Sequence, residues 1–294
     1  MALTENLYIG VDGGATKCIV RVENESGELL GQATAGPANI RISVEKSWQA
    51  INTALSQILQ TQSLTVNHHQ YYLHAGMGLA GCEVTEAYQA FNDTEHPFKT
   101  LVVTSDAHVA CLGAHGGEDG AIIIVGTGVV GFETVHHHKK KVSGWGFPHD
   151  DEGGGAWMGL EAVKATLQWL DGRLAASELA NLVYNHFDRQ RDKLVTWANK
   201  ANSTAFAELA PIVIKQSKAG DMMAISIIKR AAQAIDRIAD ALAYPQLPCS
   251  LIGGVAPFLE PYLSPSLQAR LRPSQMSPDA GAIILVKQYL KETV

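Results

Sequence analysis

The sequence lacks a surplus of positive charge. Its 294 residues include 23 lysines and arginines against 29 aspartates and glutamates, a formal net charge of −6. Nucleic acids and anionic membranes attract proteins through clustered positive charge, so this balance argues against both classes of partner. A phosphate ligand is not excluded, because a binding site can be positive locally.

The sequence also lacks signals for export or membrane insertion. Residues 1–6 contain neither a basic region nor an apolar run, so we expect no signal peptide. Dense apolar runs such as 121–125 have the length of a strand, far below the roughly 20 residues of a membrane-spanning helix. The composition, 46% apolar and 18% charged, is ordinary for a compact soluble enzyme. We expect a cytoplasmic protein.

Cysteine is scarce and scattered. Cys18, Cys82, Cys111 and Cys249 lie far apart and show no paired spacing. Neither a disulfide framework nor a thiolate metal site is therefore indicated. We expect reduced thiols in apolar surroundings.

What the sequence does contain is an alternation of strand and helix patterns without a low-complexity linker, which predicts a layered α/β protein. We predict lobes at 1–117 and 118–294, and we allow for the last helix to pack back on the first lobe. Strands are predicted at 7–11, 18–23, 28–33, 71–75, 101–104, 121–125, 129–135 and 249–252, and helices at 43–59, 83–92, 106–114, 155–170, 175–186, 204–217, 221–243 and 279–290.

The run 136–141 holds three histidines followed by three lysines. Consecutive residues of a hairpin point in opposite directions, so these side chains do not converge readily on a metal. We interpret the run as a solvated hairpin tip.

Three predicted strands end in glycine-rich turns. Glycine lets backbone N–H groups approach phosphate oxygens closely, and the hydroxyls of Thr16 and Thr127 can each add a hydrogen bond. One such turn is weak evidence, since most are merely tight hairpins. However, the first two of the three turns repeat a strand–turn–strand pattern about one lobe apart, and this repetition makes the turns harder to dismiss as ordinary hairpins. The turns are 12–16, 126–128 and 253–254.

Two familiar phosphate motifs do not fit the first turn. Residues 10–17 nearly form a Walker loop, but Ala15 stands where its second glycine is needed and Cys18 where its hydroxyl is needed. A dinucleotide fingerprint would open a helix, whereas strands follow the first two turns. The pattern indicates a phosphate held between two hairpins.

Asp106 lies between a predicted strand and a predicted helix. One interpretation is a helix N-cap. The other is a general base that accepts a hydroxyl proton during phosphoryl transfer. Spacing alone favours the cap, and both interpretations hold if Ser105 provides part of the capping.

The segment 144–155 combines an indole between two glycines with three carboxylates and three further glycines. It is a poor helix or strand, and one interpretation is a loop with a capping acid for the next helix. The other is a sugar site, in which carboxylates accept hydrogen bonds from neighbouring hydroxyls and a flat aromatic side chain packs against the ring.

Together these motifs resemble a known family. The chain resembles, nearly end to end, the BadF/BadG/BcrA/BcrD-type ATPases and their N-acetylglucosamine and glucosamine kinases, within the actin-like ATPase superfamily. The resemblance implies an α/β fold of two ribonuclease-H-like lobes with ATP and Mg²⁺ in the cleft between them. It rests on the order and spacing of the motifs 12–16, 105–107, 126–128, 144–146, 151–153, 253–255 and 279–282.

The resemblance also implies roles for single residues. Asp12 would organise Mg²⁺, and Asp106 would be the base that acts on the sugar hydroxyl. The phosphates of ATP would be held by Gly13, Gly14, Thr16, Gly126, Thr127 and Gly128, and the nucleotide would be flanked by Gly253 and Gly254. The sugar would be bound by Asn39, Asp106, Gly144, Trp145, Gly146 and Asp151.

Six positions depart from family patterns: Val130 and Ala80 stand where vertebrate-type N-acetylglucosamine kinases have an asparagine and a serine, and four others depart from the wider family. Ala15 replaces a glycine, Val129 a serine, Asp150 a glycine and Gly154 a serine.

We therefore expect an ATP- and Mg²⁺-dependent kinase that phosphorylates N-acetylglucosamine at its 6-hydroxyl. Glucosamine ranks second as the expected acceptor, by a small margin. The acidic loop suits the ammonium of glucosamine, whereas Trp145 offers an apolar platform to an acetamido methyl. Its expected partners are an amino sugar and ATP, and a homodimer is left open.

Two other functions compete with a kinase. An activator of a partner enzyme would use a cysteine-ligated iron–sulfur cluster, which the scattered cysteines disfavour. A non-catalytic sugar sensor is disfavoured because Asp12 and Asp106 are both present.

Overall fold

The computed structural model describes residues 5–62, 64, 71–136 and 138–293. The expectations for residues 1–4 and for His137 lie outside the described residues. The chain forms two compact units. Unit 1 comprises the chain through Gly120, Thr134–His136 and the residues from Ser274 onward, and unit 2 comprises Ala121–Glu133 and His137–Pro273.

Unit 1 is built on a five-stranded sheet in the order β3-β2-β1-β4-β5. The first three strands form an antiparallel meander, and β4 and β5 extend it in parallel. This is the strand order of a ribonuclease-H-like lobe. The strands are β1 (Glu5–Gly13), β2 (Cys18–Glu23), β3 (Leu29–Ala35), β4 (Tyr71–Leu79) and β5 (Thr100–Thr104), and the helices are α1 (Val44–Thr61), α2 (Thr85–Asn92), α3 (Asp106–Ala114) and the last helix of the chain, α12 (Pro278–Glu292).

Glycines set how closely α12 approaches the sheet. A Cβ at Gly10 of β1 would lie 2.0 Å from the carbonyl oxygen of Asp279, and one at Gly76 of β4 would lie 1.9 Å from that of Ala282. Both positions therefore require glycine for close packing. The contact places the first turn of α12, with Asp279, directly against β1.

Unit 2 contains a four-stranded sheet in the order β8-β7-β6-β9, in which β9 is parallel to β6. The helices of unit 2 enclose its own hydrophobic core. The strands are β6 (Gly120–Val125), β7 (Val129–Val135), β8 (His138–Ser143) and β9 (Cys249–Ile252), and the helices are α4 (Gly155–Leu170), α5 (Glu178–His186), α6 (Arg191–Ala198), α7 (Ser203–Ala207), α8 (Ala210–Lys218), α9 (Met222–Ala241), α10 (Ala256–Leu259) and α11 (Pro265–Arg270), with a 3₁₀ turn at Glu260–Tyr262.

The structure corrects two local predictions. The helix expected at 204–217 is two helices, α7 and α8, and Pro211 lies in the first turn of α8. A proline is tolerated there but would break a helix interior. The lysines of the expected hairpin tip belong to the exposed strand β8, at the edge of its sheet. Lysines on an edge strand discourage pairing with other chains.

The helix α6 was not predicted. Leu194 is its one buried residue, so the sequence carries little helical periodicity there. Among the described residues, no helix combines the length and the apolar character needed to cross a membrane.

Candidate active site

The negative charges of two carboxylates in unit 1 act on a third carboxylate, Asp12. Asp12 lies near the end of β1, Asp106 is the first residue of α3, and Asp279 lies in the first turn of α12. Burial is the largest cause that raises the pKa of Asp12, the negative charges of Asp106 and Asp279 raise it as well, and Lys17 lowers it; together they bring the pKa to about 6. The neighbourhood of Asp12 is therefore one in which a bound cation would relieve repulsion.

The donor set around Asp12 fits Mg²⁺. Mg²⁺ prefers carboxylate oxygens and is usually held by one or two of them, together with waters and substrate phosphates. In the described part of the chain, no three His, Cys, Asp or Glu side chains form a ready metal-binding group. Asp12 therefore suits a metal that is completed by a nucleotide rather than one enclosed by protein ligands.

Ser105, rather than Asp106, is the N-cap of α3. The backbone of Ser105 is extended, and its hydroxyl accepts the N–H of His108 at 3.2 Å. Oδ1 of Asp106 accepts the N–H of the next residue, Ala107, at 2.8 Å. The N-cap position thus belongs to Ser105, and a second N–H of the first turn is satisfied by Asp106. Its role as a general base remains a prediction.

The first glycine turn is tied to the segment that carries Asn39. The N–H of Gly14 donates to the carbonyl of Lys17 at 2.9 Å, and the carbonyl of Gly13 accepts the N–H of Ala80 at 2.8 Å. Asn39 pairs with Ala80 in an isolated β-bridge. Unit 1 thus brings together Gly13, Gly14 and Asn39, with Thr16 exposed at the turn.

The second glycine turn is held against the start of α4. Within the turn, the N–H of Gly126 donates to the carbonyl of Gly128 at 2.9 Å. The N–H groups of Gly155 and Ala156 donate to the carbonyls of Gly126 and Thr127 at 2.8 and 2.9 Å. The positive end of a helix dipole therefore lies at this turn, an arrangement that favours bound phosphate.

Asp151 connects the acidic loop to the second turn. Its Oδ1 accepts the N–H of Val129 at 3.1 Å, and a Cβ at Gly128 would lie 2.6 Å from its other carboxylate oxygen. Burial raises the pKa of Asp151 more than the hydrogen bond from Val129 lowers it. The predicted contact of Asp151 with sugar remains a prediction.

The two glycines after β9 differ in their surroundings. Gly253 has φ +108°, and a Cβ there would lie 2.3 Å from the carbonyl oxygen of Val125. A Cβ at Gly254 would meet nothing within 4 Å. Gly253 is therefore needed for packing, and Gly254 faces open space.

Gly126, Thr127 and Gly254 line one cavity of about 600 Å³ in unit 2. The Nζ of Lys218 lies 4.5 Å from the centre of the Phe258 ring at its wall. Sequence reasoning missed the α8 side of this cavity, because small and apolar side chains on a helix carry no chemical signature. The remaining lining residues are Gly155, Ala207, Ala210, Pro211, Ile214, Lys215 and Val255.

The acidic loop presents an exposed indole. The side chain of Trp145 is 84% exposed, and the Nζ of Lys141 lies 5.9 Å from its ring centre. Gly144 and Gly146 flank it with φ of +79° and +102°, values that favour glycine. The predicted sugar residues thus fall into two sets, with Asn39 and Asp106 in unit 1 and Gly144, Trp145, Gly146 and Asp151 in unit 2.

Residues 9–256 match the BadF/BadG/BcrA/BcrD ATPase family, and the chain belongs to this family. The glucosamine kinase GspK of Vibrio cholerae serotype O1 is 35% identical over 280 residues, which cover 95% of both chains. The chain also resembles a structure from Chromobacterium violaceum, provisionally assigned as an N-acetylglucosamine kinase, with a TM-score of 0.86, 31% identity and coverage of 95% of this chain and 98% of that one.

A ROK family glucokinase from Streptomyces griseus, 14% identical, shares the fold alone, with a TM-score of 0.51 and coverage of 96% and 98%. The predicted family and the α/β actin-like ATPase fold class are confirmed. The interlobe cleft, the lobe boundaries and the roles of single residues remain predictions.

Proposed function

We propose that this protein is an ATP-dependent amino-sugar kinase that phosphorylates N-acetylglucosamine at its 6-hydroxyl. The observation that carries the proposal is the cavity of unit 2, where Gly126, Thr127 and Gly254 meet an apolar wall. One end is formed by the glycine turn and the positive end of the α4 dipole, and the other offers an apolar surface for a nucleobase. Its size, about 600 Å³, is within the usual range for small-molecule sites.

Unit 2 would bind the phosphoryl donor. In phosphoryl transfer, positioning and charge neutralisation provide most of the catalysis. The second turn and the positive end of α4 would hold phosphate oxygens. The apolar side chains of Ile214, Val255 and Phe258 would exclude water from around the adenine ring of ATP.

Unit 1 would provide the acceptor chemistry. Asp106 would orient the sugar hydroxyl and accept its proton, while Ser105 serves as the N-cap of α3. Asp12 would hold Mg²⁺, which when bound neutralises charge on the phosphates. The family relationship to named sugar kinases supports the same reaction.

The acidic loop supports N-acetylglucosamine as the first candidate acceptor. Its three carboxylates already have partners within unit 2, because Asp150 accepts the N–H of Trp145, Asp151 that of Val129, and Glu152 pairs with Arg237 at 2.6 Å. Part of their accepting capacity is therefore used within the protein, whereas the exposed Trp145 offers an apolar surface to an acetamido methyl.

Glucosamine is the second candidate, and the 35% identical relative named as a glucosamine kinase favours it. One methyl-sized apolar contact contributes only about 1 kcal/mol. We therefore expect a preference between the two sugars rather than exclusive use of one. The cytoplasmic location and the homodimer remain predictions.

The test is ATP consumption with glucose, glucosamine, N-acetylglucosamine and N-acetylmannosamine, with phosphorus NMR to locate the transferred group. We expect the highest kcat/KM with N-acetylglucosamine and a 6-phosphate product. A higher kcat/KM with glucosamine would reverse the ranking. Equal ATP consumption with and without sugar would instead support an activator ATPase, and no consumption at all would support a sensor.

A further inference from the structure

Asp150 lies at the centre of a hydrogen-bonded loop. Its carboxylate accepts the hydroxyl of Ser143 at 3.0 Å on Oδ1 and 2.9 Å on Oδ2. Oδ2 also accepts the N–H of Trp145 at 2.9 Å. The N–H of Asp150 itself donates to the carbonyl of Gly146 at 3.1 Å. Asp150 thus contacts both sides of the turn that carries the indole.

The backbone held by Asp150 is in an unfavourable conformation. Ser143 has φ +64°, followed by Gly144 at +79° and Gly146 at +102°. A non-glycine residue at positive φ costs free energy and persists only where surrounding contacts impose it. The hydroxyl of Ser143 and the N–H of Trp145 both bond to Asp150, so this carboxylate provides those contacts.

The ionised form of Asp150 is the one that the loop stabilises. Partial burial raises its pKa, but hydrogen bonds from Trp145, from the Ser143 hydroxyl and from the backbone of Asp151 and Gly144 outweigh that effect and place its pKa below the ordinary value. Hydrogen bonds to an ionised acceptor are stronger than neutral ones. The carboxylate is therefore a strong internal support for the loop.

Asp150 and Trp145 also share a cavity. Both line a space of about 260 Å³ in unit 2, together with Ser143 and Arg237. The indole is 84% exposed, so its own packing cannot hold its orientation. Its orientation depends on the loop backbone beneath it and on Lys141, whose Nζ lies 5.9 Å from the ring centre.

We propose that Asp150 is a positioning residue for sugar binding, which fixes the loop 143–146 so that Trp145 is presented to the sugar. The inference rests on the proposed function. It assigns Asp150 no contact with the sugar and no part in phosphoryl transfer.

The first test needs no substrate. Hydrogen–deuterium exchange of the peptide that covers 143–151 is compared between wild type and Asp150→Ala. Loss of the carboxylate should speed exchange at Trp145 by about tenfold. Asp171→Ala is the matched control, because Asp171 is a loop carboxylate of unit 2 bonded to Arg173. Unchanged exchange in Asp150→Ala would overturn the positioning role.

The second test is a comparison of kinetic constants. In Asp150→Ala the KM for the amino sugar should rise by about tenfold, while kcat and the KM for ATP change by less than about twofold. Ser143→Ala should give a smaller rise, and Asp150→Asn should be intermediate because it keeps one acceptor oxygen. A parallel rise in the KM for ATP, or an unchanged KM for the sugar, contradicts the proposal.

The two proposals fail in different ways. If wild type is active and Asp150→Ala keeps its sugar KM, the positioning role alone is wrong. If wild type phosphorylates no amino sugar, the proposed function falls and the role in sugar binding falls with it. The exchange measurement still shows in that case whether Asp150 orders the loop.

Discussion

The two glycine turns that resemble each other in sequence differ in what surrounds them. The first, between β1 and β2, follows a carboxylate, Asp12, which the charges of Asp106 and Asp279 influence. The second, between β6 and β7, follows Val125 and receives N–H groups from the start of α4. The first turn is surrounded mainly by carboxylates, whereas the second combines one carboxylate, Asp151, with the positive end of a helix.

This difference separates two tasks that phosphoryl transfer requires. Negative charge suits a hard cation and a base for the acceptor hydroxyl. The positive end of the α4 dipole beside Gly126 favours phosphate oxygens electrostatically. Two turns with the same strand–turn–strand pattern can therefore have different roles, because the elements packed against each turn set the electrostatic potential around it.

The largest effect should come from Asp106→Asn. We expect kcat to fall by about 10²-fold or more, since the amide cannot accept the hydroxyl proton. The matched variant is Ser105→Ala, which removes the cap of α3. It should lower the free energy of unfolding by about 1 kcal/mol and leave kcat nearly unchanged. Steady-state kinetics and denaturant melts of both variants separate catalysis from capping.

That pair also tests the assignment of the acceptor chemistry to unit 1. Equal loss of kcat in Ser105→Ala and Asp106→Asn would mean that both residues act through the position of α3. Near wild-type turnover in Asp106→Asn would remove the base from the proposal.

Asp12→Asn should separate stability from function. The pKa of Asp12 is raised from 3.8 to about 6, so the fold favours its protonated form. The free energy of unfolding should therefore fall as pH rises from about 4 to about 6 and then level off. Asp12→Asn should remove that fall and stabilise the metal-free protein at pH 7.5 by about 3 kcal/mol at most.

The same variant should need more Mg²⁺. Metal binding requires the ionised carboxylate, so the apparent Mg²⁺ requirement of wild type should also rise as pH falls below about 6. Thermal melts without metal and Mg²⁺ titrations of activity provide the measurements. An unchanged Mg²⁺ titration in Asp12→Asn would count against Asp12 as a metal ligand.

Gly253→Ala and Gly254→Ala form a matched pair at adjacent positions. Gly253→Ala meets both a positive φ and the carbonyl of Val125, so it should lower the free energy of unfolding by about 2 kcal/mol. The methyl group added by Gly254→Ala would contact no protein atom within 4 Å, but it would extend into the cavity that Gly254 lines. It should keep the melting temperature and raise the KM for ATP several-fold. Similar melting temperatures for both variants would contradict this division.

The smallest effect is expected for Lys218→Ala. Its ammonium lies over the Phe258 ring at the wall of the cavity, and an exposed contact of this kind contributes about 0.5–1 kcal/mol. Because this contact holds the Phe258 ring against which the nucleobase would pack, its loss should raise the KM for ATP by at most about two- to fivefold. Lys164→Ala, which removes an exposed lysine of α4 paired with Glu161, is the control. A larger effect in the control would place the nucleotide elsewhere.

Much of the chain could be predicted because its signals are local. Strand alternation around Val11 and Val20 and the glycines at 13, 14, 126 and 128 can be recognised within a few residues. The boundary between α7 and α8 near Pro211 is also a local signal, but the small apolar residues on either side of it have the spacing of one continuous helix. The helix α6 has too few buried apolar residues for its sequence to show the helical spacing of apolar positions.

By itself, the sequence determined most of the strands and the long helices, the three glycine turns and the residues able to do carboxylate chemistry, because each depends on near neighbours along the chain. Only the tertiary structure decided that Ser105 caps α3, that Asp150 holds its own loop, that Asp279 lies against β1, and that α8 forms a wall of the cavity. The first two depend on which of several adjacent hydrogen-bonding groups reaches a given N–H. The last two depend on packing between segments far apart in sequence, which local patterns do not encode.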